Sequence, residues 1–354
     1  MKIVGIGGGT GLPALLSGLK ELNDNGEGPI DITAIVAVSD SGGSTGALRR
    51  AFGMPAVGDI RNCLLSLSAA DPILTSVCKH RFDSADSLAG HSVGNLILSA
   101  LFQMSDGFEN AVRRASQLLC VQGRVLPATE IPLTLYGLRE VGSIGIGEAN
   151  IPRPGVSVNR VWVEPSAPPA SGVLQSLAEA DVIVIGPGSL YTSIIPNFLV
   201  AGIPDAIKAS DARKVYVCNL MTEPGETDGY SAANHIRTLQ SYLPPDSIDI
   251  CILNSRGIGM RLADRYLRSG SEVVSAAPED EDEIRRMGVI PAFATLLKDE
   301  ETKARHDAVA LARVITSIAR GRARVTRPAK TGGMGGNRCA ESSDISVPEK
   351  SLVF

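Results

Sequence analysis

Short runs of β-branched and other apolar residues, each closed by Gly, Asp or Asn, recur at KIVGIG (2–7), DITAIVAVSD (31–40), ADVIVIGPG (180–188), KVYVCNL (214–220) and IDICILNS (248–255). Their apolar positions run together instead of alternating with polar ones, which is the pattern of strands buried on both faces of a parallel sheet. Between them the apolar spacing changes to the helical period, over 11–22, 174–179, 231–243 and 259–268. Strands alternating with helices predict an α/β fold, Rossmann-like and doubly wound on a mostly parallel sheet. In such folds ligands lie at the carboxyl ends of the strands.

Two regions break the alternation. Residues 59–76 and 91–119 both read as helical, with Leu64, Leu65 and Leu67, then Leu96, Ile97, Leu101 and Phe102, forming apolar faces. They predict a helical insertion over about 59–120. Residues 125–163, rich in Gly, Pro and β-branched side chains, predict a small β-rich cap of strands and hairpins. The whole of 1–320 is expected to form a single domain. Beyond it the composition turns to Gly, Ser, Pro and charge without periodicity, so 321–354 is expected to be a disordered tail that buries too little apolar surface to offset its ordering entropy.

With 354 residues, 44% of them hydrophobic, the chain has ample material for a core. The formal net charge is −4 and most cations are scattered, which argues against a nucleic-acid face and means that an anionic ligand must be met locally. Six cysteines without a CxxC pair read as reduced core thiols. No apolar run approaches the roughly 18 residues of a membrane span, so no membrane insertion is expected. A strand pattern stands where a targeting segment would, and cytoplasmic residence is the expectation.

Candidate chemistry gathers at strand ends. Gly7, Gly8, Gly9, Thr10 and Gly11 lie between the first strand and a helix with Pro13 in its first turn. Glycines there allow backbone N–H groups to approach a phosphate, and the helix dipole favours its charge. The dinucleotide fingerprint GxGxxG fails in either register, since position 10 is Thr and position 12 is Leu, and no Gly-Lys-Ser/Thr of a P-loop follows. NAD is therefore permitted but not favoured, and a plain tight turn is the bland alternative. A second loop carries Asp40, Gly42, Gly43, Ser44 and Thr45, followed by Arg49, a polar and anion-compatible element. Asp40 there serves either as a turn cap or as a ligand for Mg²⁺ or a hydroxyl; Mg²⁺ is permitted but not required. Asp59, Arg61 and Asn62 open one helix, with Asp59 placed as its N-cap, and His91 and Asn95 open another. Gly186, Pro187, Gly188 and Ser189 leave a third strand, Asn219 ends a fourth, and Arg305 precedes a C-terminal helix. The four histidines have no metal-ligand spacing, and no nucleophile elbow is present, so no catalytic residue is assigned and binding is favoured over any reaction.

Together GGGTGL (7–12), VSDSGGSTGALR (38–49), VGDIRN (57–62), GHSVGNL (90–96), ADVIVIGPGSLYTSIIPN (180–197), NLMTEPGET (219–227) and RHD (305–307) resemble the bacterial gluconeogenesis-factor (YvcK-type) family. That family lies in the superfamily that includes 2-phospho-L-lactate transferase (CofD-like). The resemblance covers the chain to about residue 318. It implies a UDP-sugar ligand, UDP-N-acetylglucosamine in particular, and a regulatory role in cell shape and cell-wall precursor supply on gluconeogenic carbon sources. It also implies that Arg305 holds the sugar nucleotide, and that a protein partner in cell-wall regulation, unidentified by the sequence, receives the signal; a homo-oligomer is left open. The alternative it carries is a transferase acting on a nucleotide-diphosphate-linked phospholactate. Ser41 stands where many relatives have a second acid, which weakens a two-carboxylate metal site, and Ala47 stands where Arg is frequent.

Overall fold

The computed structural model describes residues 1–83, 88–298 and 302–321, and the backbone of 352–353. The strands are β1 (Lys2–Gly7), β2 (Asp31–Val36), β3 (Arg124–Pro127), β4 (Thr134–Arg139), β5 (Ile144–Ile146), β6 (Val158–Glu164), β7 (Val182–Ile185), β8 (Arg213–Val217), β9 (Ile250–Asn254), β10 (Ile290–Ala294) and β11 (Leu352–Val353). The main sheet has the order β11-β10-β9-β8-β7-β1-β2-β3, with every pairing parallel.

The unbroken apolar strands owe their pattern to two cores. Ile3 of β1, Val182 and Val184 of β7, and Val215 and Val217 of β8 pack on one face of the sheet. Their alternates Val4 and Ile6, Ile183 and Ile185, and Tyr216 pack on the other. Each strand therefore needs apolar side chains at successive positions, not at every second one.

Helices α1 (Gly11–Asp24), α2 (Gly43–Phe52), α3 (Gly58–Ser66), α4 (Pro72–Lys79), α5 (Val93–Gln103) and α6 (Phe108–Leu118) come before β3. After β6 follow α7 (Val173–Ala178), α8 (Ile195–Phe198), α9 (Ile203–Ala209), α10 (Ala232–Gln240), α11 (Met260–Arg268), α12 (Pro278–Arg286) and α13 (Ala308–Ala319). Helix α13 lies directly on α1. A Cβ on Gly18 would sit 1.9 Å from the Ala308 carbonyl oxygen, so glycine alone allows this backbone approach, which sets the start of α13 beside the glycine loop.

Several boundaries differ from the sequence expectation. The helical connection begins at Gly43, ahead of residue 59, and its two long predicted helices are each broken. Asp71 caps α4 by accepting from the Ile73 N–H at 2.7 Å with Pro72 at the first helical position, and Gly107, at φ 92°, precedes α6. The predicted cap gives up residues 125–127 to the main sheet as part of β3, and consists of the antiparallel sheet β5-β4-β6. Strand β10, IPAFA, was absent from the expected set. Of the expected tail, Leu352–Val353 pairs beside Ala292 and Phe293, while 322–351 lies outside the described residues.

Four of the five described cysteines are buried, Cys120 is exposed, and all five are free; Cys339 lies outside the described residues. Among the described residues no single helix is long and apolar enough to cross a membrane.

Candidate functional site

From β1 the chain runs outward to β2 and β3, and from β7 it runs the other way through β8, β9 and β10, so the order reverses between the adjacent strands β1 and β7. A crevice opens beyond the carboxyl ends of such a pair. Here the two loops that border it are Gly8, Gly9 and Thr10 after β1, and Gly186, Pro187, Gly188 and Ser189 after β7. They touch backbone to backbone: a Cβ on Gly11 would lie 2.2 Å from the Pro187 carbonyl oxygen. Thr10 caps α1 by position without a side-chain hydrogen bond, which leaves the first N–H groups of a 14-residue helix directed toward the crevice.

The crevice widens into a cleft of about 1330 Å³. Thr10, Gly11, Arg61, Asn62, Pro187, Gly188, Ser189, Asn219 and Arg305, from five separate sequence motifs, line this one cavity. Backbone donors at its floor and guanidinium groups at Arg61 and Arg305 suit a diphosphate, while Thr10, Ser189 and Asn219 suit hydroxyl groups.

The remaining predicted residues form a layer behind and beside the cleft. Asp59 does not cap α3, whose N-cap is Val57. It turns instead under the glycine loop, accepting from the Gly9 N–H, and a Cβ on Gly8 would come within 2.6 Å of its Oδ2. Burial, aided by the charge of Asp40, raises its carboxyl to about 6. Gly42 N–H donates to Asp40 Oδ1 at 2.8 Å, so Asp40 does cap its own turn. The second loop is shorter than expected, because α2 begins at Gly43 and carries Ser44 and Thr45 buried in its first turn. Arg49 donates to the carbonyls of Ser39 (3.1 Å), Asp40 (2.8 Å) and Leu133, and lines a separate pocket of about 220 Å³ with Ser41 and Arg50. Its donors are engaged in holding the loop.

One network links this layer to the cleft. His91 Nδ1 lies 3.0 Å from Ser44 Oγ, and Asn95 Nδ2 donates to the same hydroxyl at 3.1 Å. The Ser44 hydroxyl thus joins the imidazole to the Asn95 amide. Arg61 donates to Asn95 Oδ1 at 2.7 Å, to Asn62 Oδ1 at 2.8 Å and to Ser92 Oγ, and Asn62 reaches the Gly9 carbonyl at 3.4 Å. Burial, and then the charge of Arg81, push the Arg61 guanidinium below its ordinary pKa.

The sequence reading missed a set of acids. Glu226 is buried, accepts from the Tyr191 N–H (3.2 Å) and the Thr192 hydroxyl (2.8 Å), and so fixes the π-helical turn Leu190–Ile194 that follows Ser189. The hydroxyl of Thr192 is engaged there. Burial and then the neighbouring Glu223 raise the Glu226 carboxyl to about 8. Glu148, from the cap, hydrogen-bonds Asp40 and is raised to about 7, chiefly by burial and then by the Asp40 charge. Glu223, Tyr266, Lys79 and Arg313 also line the cleft. Glu223 and Glu226 stand in NLMTEPGET, so their motif was visible, but only burial reveals what each does. Among the described residues no group of three or more His, Cys, Asp or Glu is arranged to hold a metal ion.

Fold and site together define a doubly wound α/β protein with a cleft lined by loop backbone, Arg61 and Arg305 at its topological switch point. The family model described as 2-phospho-L-lactate transferase CofD matches residues 3–297. The chain is 42% identical to a putative gluconeogenesis factor of Thermotoga maritima, over 90% of this chain and 100% of that one. It is 40% identical to the gluconeogenesis factor of Bacillus subtilis, over 90% and 98%. A crystal structure of a UPF0052-family protein from Bacillus halodurans superposes with a TM-score of 0.84 at 39% identity, covering 89% of this chain and 99% of that one. The chain belongs to the gluconeogenesis-factor family, within the wider CofD family.

Proposed function

We propose that this chain is a cytoplasmic regulatory protein that binds a UDP-sugar, UDP-N-acetylglucosamine in particular, in the cleft between the β1 and β7 loops. The ligand then acts by shifting the population of the form its protein partner recognises, in the control of cell shape and cell-wall precursor supply on gluconeogenic carbon sources. The observation that carries the reading is the convergence of Thr10, Gly11, Gly188, Ser189 and Arg305 on one cavity at the switch point. The diphosphate lies against the backbone donors and the free end of α1, and Arg305 supplies charge from the opposite wall. The transferase reading has the matching family model on its side. Relatives that align with nearly the whole chain carry the gluconeogenesis-factor name instead, and the binding reading follows them.

Titration calorimetry tests it. The wild type is expected to take up UDP-N-acetylglucosamine saturably. Arg305→Ala, which removes a charge-assisted contact of about 1.5–3 kcal/mol, is expected to bind about 10- to 100-fold more weakly with its melting temperature nearly unchanged. Equal affinity in the variant removes Arg305 from the site, and no uptake by the wild type removes the reading.

A further inference from the structure

Arg305 reaches the cleft from residues 302–307, a segment without helix or extended strand of its own, so whatever holds the segment sets the position of the cation. Asp307 anchors the segment at its end, donating its N–H to the Leu296 carbonyl at 2.6 Å and capping α13, and three further contacts hold it. Leu297 and His306 form an isolated antiparallel bridge, and Lys298 N–H donates to the Arg305 carbonyl at 2.8 Å. His306 Nε2 donates to the Cys218 carbonyl at 3.2 Å; a carbonyl only accepts, so the ring proton is on Nε2, and burial keeps the imidazole neutral with a pKa near 4. The third contact comes from a different part of the molecule: Tyr266 Oη, on α11, accepts from the Ala304 N–H at 3.1 Å.

Helix α11 is lightly attached. Tyr266 packs, with Ile258 and Ala304, on a small cluster of Leu220, Met221 and Leu297 that is separate from both main cores. Leu262 is the buried residue of the helix, while on its outer side Met260 is 84% and Leu267 60% exposed. Gly257 and Gly259 precede it with open space around their α-carbons, and Gly270, at φ 78°, follows it. Yet Tyr266 and Ser269 line the same cleft as Arg305. A loosely packed helix flanked by glycines is drawn from the low-stability end of a structure, where ligand-linked elements are found.

We propose that Tyr266 is a positioning residue for the ligand: its hydroxyl fastens the Arg305 segment to α11, so that capture of the ligand by Arg305 and closure of α11 on the cleft rim are one coupled event. The inference rests on the UDP-sugar reading of the cleft. Its physical basis is the hydrogen bond at Ala304, which, with the packing of Ala304 and Tyr266 on one small cluster, ties the Arg305 segment to α11. Without ligand the tie steadies a cation at the cleft; with ligand, Arg305 is pinned by phosphate and the tie transmits that restraint to α11.

Tyr266→Phe keeps the ring in the cleft wall and removes only the hydroxyl. It is expected to weaken UDP-N-acetylglucosamine binding about 3- to 10-fold, the range expected for one lost hydrogen bond, with little change in melting temperature. Hydrogen exchange separates coupling from a local structural role. The sugar nucleotide is expected to slow exchange over 260–268 in the wild type and not in Tyr266→Phe. An affinity within 2-fold of wild type, or equal slowing of α11 in both proteins, overturns the inference while leaving the cleft assignment standing. If the wild type takes up no UDP-N-acetylglucosamine, the binding reading fails by itself. The tie is then decided without ligand: exchange over 302–307 speeds up in Tyr266→Phe if the hydroxyl holds the segment, and is unchanged if it does not.

Discussion

Gly11→Ala is expected to abolish measurable uptake of UDP-N-acetylglucosamine and to lower the melting temperature by several degrees, while Gly7→Ala, in the same glycine run, leaves both close to wild type. A Cβ on Gly11 would meet Pro187 O at 2.2 Å, Pro187 C at 2.5 Å and Gly188 N at 2.9 Å, all of them backbone atoms of the opposite loop. No rotamer relieves such a contact, so the β1 and β7 loops must separate, at a cost of about 1–3 kcal/mol or more for overpacking. At Gly7 the nearest atom is Leu12 Cβ at 3.5 Å, an ordinary contact. Calorimetry and thermal melts of the two variants check this. A Gly11→Ala protein with wild-type affinity would show that the closeness of the two loops is irrelevant to the ligand.

The second large effect concerns the buried acid beneath the β7 loop. Glu226 ordinarily titrates near 4.5 and in the folded chain near 8, because burial and the adjacent Glu223 disfavour its charge. The folded state thus holds a proton that the unfolded chain releases. The stability this group contributes is present below about pH 4.5 and is lost as pH rises to about 8, at roughly 1.4 kcal/mol per pH unit across the window. Glu226→Gln has no proton to lose. Denaturant unfolding is therefore expected to find the variant gaining on the wild type by a few kcal/mol between pH 5 and pH 9, with the two curves converging on the acid side. Parallel pH profiles would contradict the burial argument. His235 and His306 act in the opposite sense: both are lowered to about 4 by burial, so their contribution is lost as pH falls below about 6.5.

Much of the fold was legible because its cause is local. The strands at 2–7, 180–188, 214–220 and 248–255 are apolar on both faces since helices cover both sides of the sheet, and a run of such residues records this directly. Strand β3 was misplaced because RVLP carries no period of its own and joins the main sheet through a partner, β2, about ninety residues earlier in the chain. Ser44 and Thr45 were read as loop residues because three glycines surround them; what makes Gly43–Phe52 a helix is the tertiary support of Leu48 and of the Ser44–Asn95 contact.

The site was legible as separate loops and not as an arrangement. Glycine-rich strand ends announced the crevice, yet nothing local distinguishes Arg49, bound to three carbonyls, from Arg61 and Arg305, which line the cleft. Glu148 lies more than a hundred residues from Asp40, and Tyr266 nearly forty from Ala304. Such pairings are created by the fold, so only coordinates reveal them.

The central claim is that the sugar nucleotide occupies the switch-point cleft, and a crystal structure of the chain with UDP-N-acetylglucosamine tests it most directly. The account predicts the diphosphate on the backbone of Gly11, Gly188 and Ser189 with the Arg305 guanidinium turned to it. Density in the layer of Asp40, Ser44 and His91, with the cleft empty, would contradict it.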